Sequence, residues 1–175
     1  MKIKCTLAIS LDGYIADEHG GYDWIMGDGH HAHDTEKKWD FEEFMKDIDI
    51  VVMGRNCYDQ DMHKSFEKQQ VMVITSRPLN DDTVTVLSEN IESVLLELKK
   101  TKNIFIFGGG HVVSLLRDII DEYAIGIIPV ILGNGIPLFH PSENRVKLKF
   151  EGMTCDEGIV VLSYTRNGVN HGNQT

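Results

Sequence analysis

The 175-residue sequence predicts an α/β protein: one mixed, mostly parallel sheet with helices on both faces and a C-terminal antiparallel strand pair. Three observations predict it. Ile50–Met53, Val71–Ile74 and Ile104–Phe107 are unbroken apolar runs, as expected of strands buried on both faces. Strand and helix patterns alternate through the first two thirds of the chain, which calls for crossover connections and parallel pairing. Val146–Phe150 and Ile159–Thr165 alternate in polarity and read as an antiparallel pair.

The opening segment places Ile3, Cys5, Leu7 and Ile9 on one face and Lys2, Lys4 and Thr6 on the other, a period of two that predicts a first strand ending at Asp12-Gly13. A loop rich in Gly, Asp and His runs on to about His33. Asp34 then caps a helix expected over Thr35–Asp49, with Trp39, Phe44 and Ile48 as its apolar stripe. A helical turn follows the second strand at Asn56–Gln60. Val84–Leu87 predicts a short strand, and Asn90–Lys100 a helix with Ile91, Val94, Leu95 and Leu98 at helical spacing. Ala124–Leu132 is a long apolar strand interrupted by Pro129. That strand and the hydrophobic loop that follows it to Phe139 are more apolar than an exposed edge should be, which predicts a homodimer burying part of this region. Residues 1–166 make a single domain, and residues 167–175 form a polar tail expected to be disordered.

Composition narrows the function. Hydrophobic residues are 42% and charged residues 25%, enough for a core within one soluble domain. A formal net charge of −10 sets a field that repels phosphate backbones and anionic membranes, so neither nucleic acid nor membrane is an expected partner. An anionic ligand needs a local pocket of Arg or Lys. Cys5, Cys57 and Cys155 are odd in number and far apart, which points to free thiols and a cytoplasmic setting.

The run from Ile104 to Leu116 carries the strongest chemical signal. A buried strand breaks into Gly108-Gly109-Gly110 and re-emerges as a helix, so bare backbone N–H groups meet at the strand's carboxyl end. A pyrophosphate suits that place, and so does a tight turn with no ligand. Neither the G-x-G-x-x-G nor the G-x-x-x-x-G-K-[ST] spacing is present. Two other buried strands end at Gly54-Arg55 and at Thr75-Ser76-Arg77, where two arginines and two hydroxyls can hold a phosphate or stand solvated.

In order, Ser10–Ala16, Asp23-Trp24, Val52–Tyr58, Thr75–Arg77, Phe107–Gly110 and Ile128–Phe139 resemble the dihydrofolate reductase superfamily. Within it the chain is most similar to the riboflavin-biosynthesis reductase domain and its small bacterial relatives. The resemblance implies a dihydrofolate-reductase-like fold with NADPH across the strand ends, and a cis peptide between Gly108 and Gly109 at the pyrophosphate. Arg55, Ser76 and Arg77 would hold the adenosine 2′-phosphate end, and Gly54 and Thr75 would also bind the cofactor. Backbone groups of Ala8 and Ile15 would meet the nicotinamide, and Trp24 and Phe44 would border the substrate. Asp40 matches the place of the dihydrofolate reductases' acidic residue, and Asp12 at the loop entrance is a second possible catalytic carboxylate, or simply a turn former. The riboflavin reductases' strand-one lysine and the acidic residue before their glycines are replaced here by Thr6 and Phe107, so the substrate half departs from both patterns.

The function expected is NADPH-dependent hydride transfer to a small conjugated heterocycle of pyrimidine or pteridine type, similar to 5-amino-6-(5-phosphoribosylamino)uracil reductase. The alternatives are a true dihydrofolate reductase and a non-catalytic NADP-binding module. His30, His31 and His33 are close enough to suggest a metal, but flanking glycines favour solvated side chains and no metal site.

Overall fold

The computed structural model describes residues 1–167, and its unbroken apolar runs are strands that send alternate residues into two separate cores. In chain order the strands are β1 (Ile3–Ser10), β2 (Tyr14–Ala16), β3 (Ile50–Gly54), β4 (Gln70–Ile74), β5 (Thr85–Leu87), β6 (Ile104–Gly108), β7 (Glu122–Ile128), β8 (Ile136–Pro137), β9 (Leu148–Asp156) and β10 (Ile159–Arg166). The helices are α1 (Phe41–Met45), α2 (Arg55–Asp59), α3 (Ile91–Leu98) and α4 (Gly110–Leu116), with a 3₁₀ turn at Met62–Phe66. Eight strands form one sheet in the order β5-β4-β3-β6-β1-β7-β10-β9, and β2 and β8 form a separate small ribbon. Pairing is parallel from β5 through β7; β10 joins β7, and β9 joins β10, antiparallel.

Ile50 and Val52 of β3 and Ile104 and Ile106 of β6 face α3 and α4, where Leu95, Val112, Val113 and Leu116 cover them. Val51, Met53 and Phe105 face the opposite way, under Ile48, Phe66 and the partly buried Phe44. Phe105 meets Phe44 and Phe66 edge-on, with ring centroids 5.1 and 6.2 Å apart. Fully burying one such side chain contributes about 1.5–3 kcal/mol, so strands covered on both faces anchor the sheet.

Several expectations change. The helix expected over 35–49 shrinks to α1, because Thr35 is drawn away to the far hairpin: its N–H donates to Cys155 O, and Cys155 N–H donates to its hydroxyl, each at 2.9 Å. The apolar strand at 124–132 ends at Ile128, before Pro129, and lies between β1 and β10. Interior burial accounts for the apolarity of Glu122–Ile128, whereas Ile131, Ile136 and Phe139 of the following segment are exposed. The strand expected at 146–150 runs instead over 148–156, and it closes on β10 through Glu157 and Gly158, both at positive φ, the backbone of a two-residue hairpin turn. Apart from Asn167, whose N–H donates to Lys147 O, the expected tail lies outside the described residues. Among those described, no helix is long and apolar enough to cross a membrane.

Candidate functional site

The sheet splits beside its first strand. β1 pairs with β6 only from Ile3 to Cys5, whereas it stays paired with β7 as far as Ser10. Beyond Cys5 the β6-facing edge of β1 has no strand partner, and β6 turns away at Gly108, which registers with Met53 of β3. A cleft of about 1190 Å³ opens there at the carboxyl ends of the parallel strands, the usual ligand position in such a sheet. Its lips are Thr6–Ala8 on one side and the glycine turn on the other.

Ala8, Ile15, Gly54, Arg55, Thr75, Ser76, Arg77, Gly108, Gly109 and Gly110 all line this cleft. The peptide bond between Gly108 and Gly109 is cis. A Cβ at Gly109 would meet only Ile15 Cδ1, at 3.8 Å, so the main chain there lies open to the cleft. One at Gly110 would lie 2.2 Å from Pro137 O, so the next residue is pressed against the loop behind. His111 and His140 flank the turn with ring centroids 6.0 Å apart; no local sequence pattern announces the pair, because the two lie on separate segments of the chain. Cys57 also lines the cleft; burial pushes its thiol pKa up and keeps it protonated.

At the far lip the two arginines share one carboxylate. Arg55 Nε donates to Asp59 Oδ1 at 2.7 Å, and an Arg77 terminal nitrogen donates to Asp59 Oδ2 at 3.3 Å. Arg55 also donates to Pro78 O at 3.1 Å, which fixes its guanidinium from two sides. Thr75 is buried, and its hydroxyl accepts from Arg77 N–H at 3.0 Å, shaping the turn that presents Ser76 and Arg77.

The residues expected to be catalytic or to border the substrate lie elsewhere. Asp12 accepts from the N–H groups of Leu132 and Gly133 at 3.1 and 2.8 Å, and these bonds, with one from Ser10 as the largest influence, hold its carboxyl below the usual range. It fastens the loop after β7. Asp40 is the N-cap of α1, accepting from Glu43 N–H at 3.0 Å. Neither lines the cleft, and no Asp or Glu does among the described residues. Trp24 donates to Gly21 O at 3.1 Å, and Phe44 packs into the core beneath; Tyr22, Trp39 and Phe41 take their places in the lining. The substitution follows from α1 beginning at Phe41, which turns that ring to the cleft and Phe44 to the sheet. Asp12→Asn and Asp40→Asn are therefore expected to lower thermal stability while leaving cofactor affinity and any turnover near wild type. A loss of turnover in a folded variant would restore a catalytic role.

Residues 17–40, which contribute Tyr22, Ile25 and Trp39 to the lining, are latched to the β9–β10 turn. Asp28 N–H donates to Glu157 O at 2.8 Å, and Glu157 N–H donates to Asp34 Oδ1 at 2.9 Å. Lys38 lies 2.7 Å from Asp34 and 2.8 Å from Asp156. His31, Asp34 and Asp156 bring ligand atoms within 4.8 Å of one another, and the Lys38 ammonium already takes the cation's place between the two carboxylates. His31, exposed as expected of a solvated side chain, also meets Asp34 at 3.0 Å and Glu157 at 3.7 Å. Asp34 raises its pKa, so the stabilisation from this pair is full below the ordinary histidine value and fades as pH rises through the raised one. Lys38 first, then His31, holds the Asp34 carboxyl well below its usual range, so that share is lost only as pH falls into acid. Exchange protection of the Asp28 and Glu157 amides is thus expected to be full below the ordinary histidine value of about 6.5 and to weaken as pH rises through the raised one. His31→Asn should abolish the alkaline weakening.

Proteins of known structure share this architecture. Dihydrofolate reductase from Enterococcus faecalis, solved in complex with NADP(H), matches with a TM-score of 0.66 over 95% of this chain and 97% of that one; at 19% identity the likeness defines a dihydrofolate-reductase-like fold and no more. Within that class, the chain belongs to the RibD C-terminal domain family, a reductase family, whose model matches residues 1–161. A provisionally named riboflavin biosynthesis protein from Shewanella sp. PV-4 matches with a TM-score of 0.79 at 26% identity, over 96% of this chain and all of that one. The uncharacterized protein YwjB of Bacillus subtilis (strain 168) is 34% identical, spanning 94% of this chain and 98% of its own length.

Proposed function

We propose that the protein is an NADPH-dependent reductase acting on a small, flat heterocycle of pyrimidine or pteridine type. The observation that carries this reading is the split between β1 and β6, which sets an unpaired strand edge opposite an open glycine turn. A dinucleotide fits these residues: the turn admits a pyrophosphate against main chain, and the arginine lip suits a terminal phosphate. The cleft exceeds the roughly 300–1,000 Å³ of a single small-ligand pocket, which leaves room for a second molecule beside the cofactor.

When bound, NADPH would supply the hydride. Thr6–Ala8 of β1 would orient the nicotinamide through backbone groups, and Tyr22, Trp39 and Phe41 would stack a planar substrate and exclude water. With no carboxylate in the lining among the described residues, the proton that completes reduction would come from solvent or from the lining histidines, His111 and His140. That same feature argues against a true dihydrofolate reductase resting on Asp40, and it favours binding without turnover as the second reading. Calorimetric titration with NADPH, followed by loss of nicotinamide absorbance with pyrimidine and pteridine substrates, tests both. Binding with turnover supports the reductase, binding without turnover supports the second reading, and no binding refutes both.

A further inference from the structure

We propose that Asp59 tempers the cofactor preference of this site, acting as a fixed counter-charge behind the two arginines. The proposal rests on the reading that Arg55 and Arg77 receive the 2′-phosphate of NADPH. Asp59 closes α2, one turn after Arg55, and each of its oxygens accepts from a different guanidinium, at 2.7 and 3.3 Å. The arginines line the cleft and Asp59 does not, so the carboxylate stands on their outer side.

This geometry leaves donors for a ligand. A guanidinium carries five N–H groups. Arg55 commits two of its contacts, to Asp59 and Pro78 O, and Arg77 commits one through its side chain. The charge balance is less generous. Two cations and one adjacent anion leave a net charge of +1 to meet a phosphate of about −2. The proximity of both guanidiniums, Arg55 foremost, holds the Asp59 carboxyl below its usual range, so it is ionised wherever a cofactor would bind.

A carboxylate on the outer side of the guanidiniums repels the phosphate they attract. At a separation of about 7 Å in a solvent-exposed setting, a unit charge against a phosphate changes affinity by about five- to tenfold. Asp59→Asn keeps the shape and one oxygen acceptor for Arg55 while removing the charge. The variant is therefore expected to bind NADPH and 2′,5′-ADP about five- to tenfold more tightly, with NADH changed by less than about twofold and the gain shrinking as salt rises. Unfolding cannot mimic a gain in affinity.

Calorimetry of the wild-type protein, Asp59→Asn and the Arg55→Ala/Arg77→Ala double variant with these three ligands tests the proposal. Unchanged or weaker 2′,5′-ADP binding by Asp59→Asn overturns it, and weaker binding would mean that the carboxylate serves to position the arginines. If the double variant binds 2′,5′-ADP as the wild type does, the arginines do not hold the phosphate, and the underlying reading fails with the proposal.

Discussion

Gly109→Ala is expected to leave the protein folded and to lower NADPH affinity by about a hundredfold. The added methyl has room in the free protein, since its nearest neighbour would be Ile15 Cδ1 at 3.8 Å, and φ at this position is −75°, which alanine adopts without cost. The same methyl would stand where a diphosphate must approach main chain. Losing two charge-assisted hydrogen bonds of about 1.5 kcal/mol each corresponds to about a hundredfold in binding. Gly110→Ala is expected to do the reverse. Its Cβ would lie 2.2 Å from Pro137 O and 3.2 Å from Leu138 O, backbone atoms that cannot swing aside. Overpacking of this kind costs about 2–3 kcal/mol, or roughly 5–10 °C in Tm for a domain of this size. Calorimetry and thermal denaturation of the two variants separate the effects. Undiminished NADPH affinity in a folded Gly109→Ala protein would reduce the turn to a structural element.

Arg55→Ala and Arg77→Ala are expected to weaken NADPH binding unequally and to leave NADH almost untouched. Arg55 has 22% of its side chain exposed and is held by Asp59 and Pro78 O, so its contact to a phosphate is preorganised and worth about 2–3 kcal/mol, or 30- to 150-fold. Arg77 is 59% exposed and held by one long contact, so solvent screening reduces its share to about 1–1.5 kcal/mol, near tenfold. Both effects should decline as salt rises. Titrations with NADPH and NADH on each variant check this. Equal affinity of the wild-type protein for the two cofactors would remove the arginines from the phosphate site.

The cleft is more legible in the sequence than the chemistry above it. Apolar runs that bury both faces are local signals, and so are the residues that end them. Gly54-Arg55, Thr75–Arg77 and Gly108–Gly110 therefore announce a common edge from the order of residues alone. What the sequence hides depends on partners far along the chain. Thr35 and Cys155, 120 positions apart, decide where α1 begins and hence that Phe41 rather than Phe44 faces the cleft. Asp12 suits a turn former or a catalytic acid equally well until its bonds to Leu132 and Gly133 are known. Asp59 carries no sequence signal at all, since an acid four residues after an arginine is an ordinary helical pair. The edge strand β9 extends beyond its apolar pattern because the pairing with β10 skips Glu151, a bulge that shifts the apolar positions from Leu148 and Phe150 to Met153 and Cys155.

The latch between residues 17–40 and the β9–β10 turn has a consequence for a chain still emerging from the ribosome. The hairpin is made more than a hundred residues after the loop it secures. A nascent chain can assemble β1, β3, β4 and β6 while its Tyr22 and Trp39 wall has nothing to fasten to. The roof over the cleft is thus among the last parts completed, and a chain cut short before Cys155 would expose an unroofed apolar groove to whatever chaperone or neighbour meets it first.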